Sequence, residues 1–139
     1  MIEGLSHITL ITSDLERMSA IVEQVLDGRE VYSSGDSTFS LSREKFFLVG
    51  GHWIAVMEGD SLPARSYNHI AFKIPAHAVE TCRERIERLG LEFRESRPRV
   101  EGEGEGHSLY FYDHDNHLFE LHTGTLEERL ERYRQGAGA

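Results

Sequence analysis

Basic residues are scarce in this chain, and lysine is nearly absent. Asp and Glu total 24 against 15 Lys and Arg, the formal net charge is −9, and Lys45 and Lys73 are the two lysines in 139 residues. Neutralising nucleic-acid phosphates needs clustered cations, so this balance argues against a nucleic-acid partner. An anionic substrate would require a local reversal of the field. Long hydrophobic runs are also missing: no stretch approaches the roughly 18 apolar residues of a membrane span, and no basic flank precedes a signal-like core at the N-terminus. The expectation is a cytoplasmic protein with no membrane partner. Cys82, the single cysteine, cannot form an internal disulfide, and its spacing with Val79, Ile86 and Leu89 puts it on the apolar face of a helix, where it packs.

What is present is a repeat. Leu5-Ser6-His7-Ile8-Thr9-Leu10 and Tyr67-Asn68-His69-Ile70-Ala71-Phe72 are histidine-centred, strand-like runs, each preceding a helix-like segment that ends in glycine. In the first copy, Leu5–Thr12 alternates as a strand. Ser13 and Asp14 offer N-caps to a helix with apolar positions Leu15, Met18, Val22, Val25 and Leu26, and Gly28 stops it. Strands follow at Arg29–Ser33, around Ser40–Val49 and at His52–Met57, with Gly50-Gly51 as the hairpin signal. The second copy repeats the order, with a strand at Tyr67–Ile74, a helix from near Pro75 to Gly90, and strands near Leu91–Glu95, His107–Asp113 and Leu118–His122. The expected organisation is an α+β chain, a single domain over 1–139. Module one is 1–58, the linker 59–65, module two 66–123 and a C-terminal helix 125–135.

Two β-α-β-β-β units, each too small to bury its own sheet, should pair their open sheets into a cup. That arrangement resembles the vicinal oxygen chelate superfamily, the glyoxalase and bleomycin-resistance fold. Strand alternation then turns His7 and Thr9, His69 and Tyr67, and Glu120 with Leu118 and His122 toward the cup. Two imidazoles and a carboxylate with open positions suit a divalent transition metal, Mn(II) or Fe(II) rather than structural zinc. A histidine on a strand is more often hydrogen-bonded than a ligand, and there are eight here. The equivalence of His7 and His69 within the repeat, and a lone carboxylate in the apolar strand Leu118-Phe119-Glu120-Leu121, favour the metal. His122, on the face of Glu120, is the main competitor for a ligand role.

The segment from Gly106 to Asp113, followed by Asp115-Asn116-His117 and Glu120-Leu121-His122, resembles the C-terminal signature of the fosfomycin resistance proteins. So do the opening Gly4–Leu10, the Tyr67-Asn68-His69 strand, and the tail Gly124-Thr125-Leu126 with Arg129, so the resemblance spans nearly the whole chain. It implies Mn(II)-dependent opening of the fosfomycin epoxide, with His7, His69 and Glu120 as ligands. It also implies a domain-swapped homodimer in which one ligand histidine comes from the partner subunit. Thr9, Ser108, Tyr110 and Arg129 match positions that bind the phosphonate, with Trp53 as an apolar wall. A planar guanidinium grips two oxygens at once, which singles out Arg129 on physical grounds. The competing reading pairs Arg129 with Glu128 or Glu131.

The family has branches that add water, glutathione or another thiol. Glu44, in Leu41-Ser42-Arg43-Glu44-Lys45-Phe46-Phe47, falls where the water-adding epoxide-hydrolase branch carries its general base. Shielding by Phe46, Phe47 and Trp53 would favour that role. The commoner fate of such a residue is a hairpin-edge pair with Arg43 or Lys45. The glutathione-adding branch has a lysine and a potassium site in the loop before the Ser-x-Tyr strand. Here that loop reads Arg97-Pro98-Arg99-Val100-Glu101-Gly102-Glu103-Gly104-Glu105-Gly106, without lysine, and Arg97 or Arg99 is a candidate replacement. The expected activity is hydration of fosfomycin. The alternatives are glutathione transfer to fosfomycin and metal-free drug sequestration by the same fold.

Overall fold

In the computed structural model, residues 1–37, 42–95 and 106–137 are described. The element order is β1 (His7–Thr12), α1 (Leu15–Gln24), β2 (Arg29–Ser33), β3 (Glu44–Val49) and β4 (His52–Glu58). It continues with β5 (His69–Lys73), a 3-10 turn (Ala76–Ala78), α2 (Val79–Arg88), β6 (Phe93–Glu95), β7 (Ser108–Tyr112), β8 (Leu118–His122) and α3 (Leu126–Ala137). The chain forms two compact units, one of residues 1–65 with 113–116, the other of residues 66–112 with 117–139. Each holds a β-α-β-β-β set with a four-stranded mixed sheet, ordered β1-β4-β3-β2 and β5-β8-β7-β6. No helix among the described residues is long and apolar enough to cross a membrane.

In the first unit, Asp14 caps α1 by accepting the Arg17 amide at 3.1 Å, the bond an N-cap carboxylate is suited to make. The helix lies against β3 and β4 and buries Leu15, Met18, Ile21 and Val22 on the sheet side of Leu10, Phe47, Val49, Ile54 and Val56. Each such side chain contributes roughly 1.5–3 kcal/mol of burial. Lys45, on the same side, pairs with Glu30 at 3.0 Å and Glu16 at 3.4 Å. The turn 113–116 is pinned by Asp115, whose carboxylate accepts Thr12 Oγ1 at 2.6 Å, the Ser13 amide at 2.8 Å and Ser61 Oγ at 2.5 Å. Burial alone would raise this carboxyl, but the donors from Ser61, Thr12 and Ser13 outweigh it and hold the group below its ordinary range.

In the second unit, α2 packs on β6 and β7, burying Cys82 and Ile86 with Leu109, Phe111, Phe119 and Leu121. Phe111 and Phe119 stack at 5.4 Å. Cys82 is thus a packing residue, as its spacing predicts. Period-2 alternation leaves His69, Ala71 and Lys73 of β5, Ser108, Tyr110 and Tyr112 of β7, and Leu118, Glu120 and His122 of β8 on the face away from α2.

Candidate active site

The face of the first sheet away from α1 carries His7, Thr9, Trp53, Phe46 and Glu44. Parallel pairing sets His7 beside Trp53, and the two rings stack with centroids 4.1 Å apart at 29°. Ser6 Oγ lies 3.0 Å from His7 Nδ1, so one ring nitrogen is engaged and Nε2 is the atom offered outward. Phe46 meets Trp53 edge-on at 5.1 Å and Tyr32 at 4.9 Å. Thr9 is exposed on the same strand as His7.

Glu44 sits at the start of β3 on this same face, paired in register with Met57, and is 8% exposed. Its backbone is locked to β2 through Ser34, whose Oγ accepts the Glu44 amide at 3.0 Å while its own amide donates to the Glu44 carbonyl at 3.0 Å. Neither cation expected to compete for the carboxylate does so. Arg43 binds Glu58 at 2.9 Å, and Lys45 turns to the helix side of the sheet. Among the described residues the Glu44 carboxylate has no hydrogen-bond or ion-pair partner.

The second sheet gathers a denser polar set. His69 Nδ1 is 2.7 Å from the Tyr67 carbonyl; a carbonyl only accepts, so Nδ1 carries a proton and Nε2 is the ring atom turned to Glu120. That Nε2 stands 3.0 Å from Glu120 Oε1. Two donor atoms at this spacing fit adjacent corners of one coordination sphere, since bonds of about 2.1 Å at a right angle span about 3 Å. A ligating imidazole fixed through its other nitrogen by a carbonyl is the usual orienting device of metal sites. Glu120 is buried, flanked in register by Ala71 and Tyr110. Burial, then a hydrogen bond to Tyr67 and the Glu120 charge nearby, push the Tyr110 phenol upward, so it remains a proton donor.

Ser108 donates to Glu120 Oε2 at 2.7 Å and lies 2.6 Å from His122 Nδ1. Arg129, on α3, reaches His122 Nε2 at 3.4 Å. The helix-surface alternatives for Arg129 are not formed: Glu131 pairs with Arg134 at 2.9 Å, and Glu128 accepts the Thr125 hydroxyl at 3.1 Å. The structure therefore brings together His69, Glu120, Ser108, Tyr110 and Arg129 on one unit, and His7, Thr9, Trp53 and Glu44 on the other. Arg97, Arg99 and the Glu-Gly run 101–105 lie outside the described residues. Sequence reasoning singled out neither Ser34 behind Glu44 nor the use of both His122 nitrogens; the register Ser108↔His122 is the signal that leads to the latter. Asp113, Asp115 and the neighbouring His117 are also metal-holding residue types, but the Asp115 carboxylate is taken up by serine and threonine donors.

The profile of the Glyoxalase/Bleomycin resistance protein/Dioxygenase superfamily matches residues 4–121. Fosfomycin resistance protein FosX of Listeria monocytogenes is 60% identical over 135 residues, covering 97% of this chain and all of that protein. FosX of Mesorhizobium japonicum is 61% identical over the whole chain and 99% of its own length. The crystal structure of a glutamate-to-glutamine variant of Listeria FosX, complexed with Mn(II) and 1S,2S-dihydroxypropylphosphonic acid, superposes with a TM-score of 0.84 at 56% identity, covering 96% of this chain and 99% of that one. The chain belongs to the Glyoxalase/Bleomycin resistance protein/Dioxygenase superfamily and, within it, to the FosX family of fosfomycin resistance proteins.

Proposed function

We propose that the chain is a Mn(II)-dependent epoxide hydrolase that inactivates fosfomycin by adding water, with Glu44 as general base. The observation that carries this reading is the Glu44 carboxylate, buried and without a partner among the described residues, on the sheet face that bears His7, Thr9, Phe46 and Trp53. A carboxylate that no described cation engages suits a role in activating a water molecule. The diol phosphonate bound to the Listeria relative is the compound that fosfomycin becomes on gaining one water.

His7, His69 and Glu120 are the residues that would hold the metal. The donor set of two neutral imidazole nitrogens and one carboxylate fits a Mn(II)-like ion with open positions. When bound, the ion supplies electrophilic stabilisation for the ring oxygen as negative charge develops on it. Arg129, Thr9 and Tyr110 contribute donors for the phosphonate oxygens, and Trp53 an apolar wall. Glu44 takes a proton from water as the water oxygen bonds to an epoxide carbon; the carbon–oxygen bond of the ring breaks, its electron pair passes to the ring oxygen, that oxygen takes up a proton from solvent, and Glu44 returns its own proton to solvent, so that one water in all is added. Ser108, expected from the resemblance beside the phosphonate, also donates to Glu120 Oε2 and so supports that carboxylate. By resemblance the working form is a cytoplasmic homodimer with shared metal sites.

Phosphorus NMR and mass spectrometry of fosfomycin incubated with protein alone, with Mn(II), and with Mn(II) plus glutathione test the reading. A product heavier by one water, dependent on Mn(II) and indifferent to thiol, is expected. A glutathione adduct as main product would move the chain to thiol transfer, and no product at all would leave drug sequestration.

A further inference from the structure

The His122 ring, offered by strand alternation as a rival metal ligand, is engaged at both nitrogens. We infer that His122 is a positioning residue for Glu120: held as the Nδ1–H tautomer by Arg129, it fixes the Ser108 hydroxyl so that its proton points to Glu120 Oε2 and leaves Oε1 for the metal. The inference rests on the ligand role proposed above for Glu120.

The contacts among these four residues point to one arrangement of protons. A guanidinium has donors only, so Arg129 Nη2, 3.4 Å from His122 Nε2, calls for a lone pair on that nitrogen and places the neutral ring's proton on Nδ1. Nδ1 lies 2.6 Å from Ser108 Oγ and 3.2 Å from Glu120 Oε2. The hydroxyl has one proton; receiving N–H from His122, it donates that proton to Oε2 at 2.7 Å. Arg129, His122, Ser108 and Glu120 thus form one directed chain of hydrogen bonds. The opposite tautomer would set an N–H against the guanidinium and draw the Ser108 proton toward Nδ1. Ser108 and Glu120 are buried, and the His122 side chain is 14% exposed, so the chain is shielded from water and each bond counts for more than it would at the surface. Its far end, Arg129, is the group that grips the phosphonate in the proposed reaction, so substrate binding and the metal-ligand carboxylate share one set of hydrogen bonds.

Two measurements on the full-length protein test this. Long-range proton–nitrogen correlation spectra of the metal-free chain, which is diamagnetic, are expected to show His122 protonated at Nδ1; a ring protonated at Nε2 overturns the inference. The second measurement is Mn(II) affinity, from the electron paramagnetic resonance signal of free Mn(II), in wild type, His122→Phe and His122→Asn. Removing an orienting partner of a ligand characteristically weakens metal binding roughly 10–100-fold, and that loss is expected for His122→Phe. The Asn amide supplies an N–H near the Nδ1 position, so His122→Asn should stay within about threefold of wild type while KM for fosfomycin rises and kcat holds. Wild-type affinity in His122→Phe, or equal losses in both variants, overturns the inference. If His122→Phe does not fold, the tautomer and the Asn variant decide. Wild type that binds no Mn(II) would instead sink the proposed metal dependence, and the tautomer would still judge the hydrogen-bond chain.

Discussion

Glu44 and Asp115 are both buried carboxylates in the first unit, and their surroundings assign them opposite duties. Asp115 is saturated with donors from Thr12, Ser13 and Ser61, so its charge is spent on structure, whereas no described side chain donates to Glu44, as the general-base role proposed for it requires. Glu44→Gln should therefore bind Mn(II) as wild type does and lose fosfomycin hydration by about 10²–10⁴-fold; hydration retained in that variant removes Glu44 from its role. Asp115→Asn should cost about 2–4 kcal/mol at neutral pH, because hydrogen bonds to an ionised acceptor are lost. The sign with pH follows from its lowered carboxyl. The stabilisation is complete above the unfolded value near 4 and disappears as pH falls through the folded value, so the wild-type advantage over Asp115→Asn should shrink at acid pH in urea melts. An advantage that stays constant from pH 7 to pH 2 would contradict this. At this scale the sequence revealed which residue types face the open side of each sheet. It did not reveal partners: that Arg43 and Lys45 leave Glu44 alone, or which nitrogen of His122 meets Arg129, depends on side chains 7 to 29 positions apart.

At the scale of elements, β2 and β8 begin and end where alternation and turn residues put them. β1 and β5 do not: both were expected two residues earlier, at Leu5 and Tyr67, and both start at their histidine. The reason is pairing. β1 finds its first partner at His7↔Trp53 and β5 at His69↔Leu118, and a strand can begin only where its neighbour does, which no local pattern encodes. α2 likewise starts with a 3-10 turn after Pro75, which supplies no side-chain cap. The junction of β7 and β8 carries the densest polar set and is closed by a glycine. Gly106 has φ +76, and a Cβ there would stand 2.5 Å from the Gly124 amide nitrogen. Beside it, His107 donates its amide to Thr123 Oγ1 at 2.8 Å and accepts the Thr123 amide at 3.0 Å. Gly106→Ala should thus cost about 1–3 kcal/mol for the backbone conformation alone, read as a lower urea midpoint. An unchanged midpoint would mean that β7 and β8 do not depend on this approach.

For the molecule as a whole, the repeat distributes the proposed metal ligands unevenly: His7 belongs to the first unit, and His69 and Glu120 to the second. This asymmetry makes the proposed sharing between subunits testable with two inactive proteins. His7→Ala and Glu120→Ala should each be inactive alone and bind no Mn(II). If each site takes His7 from one subunit and His69 with Glu120 from the other, a mixed dimer has one site lacking both and one site intact. Co-refolding equal amounts gives mixed dimers as half of all dimers, so roughly a quarter of wild-type activity and Mn(II) binding should return. If every ligand set came from one chain, no combination of these two variants would build a complete site, and activity would stay at zero. Two variants that are both in the second unit, His69→Ala and Glu120→Ala, supply the control: sharing predicts no recovery from that pair, because each site then lacks one residue or the other whichever chains combine. Recovery in the first mixture and none in the second would assign the site to the dimer, whereas silence in both would return it to the single chain.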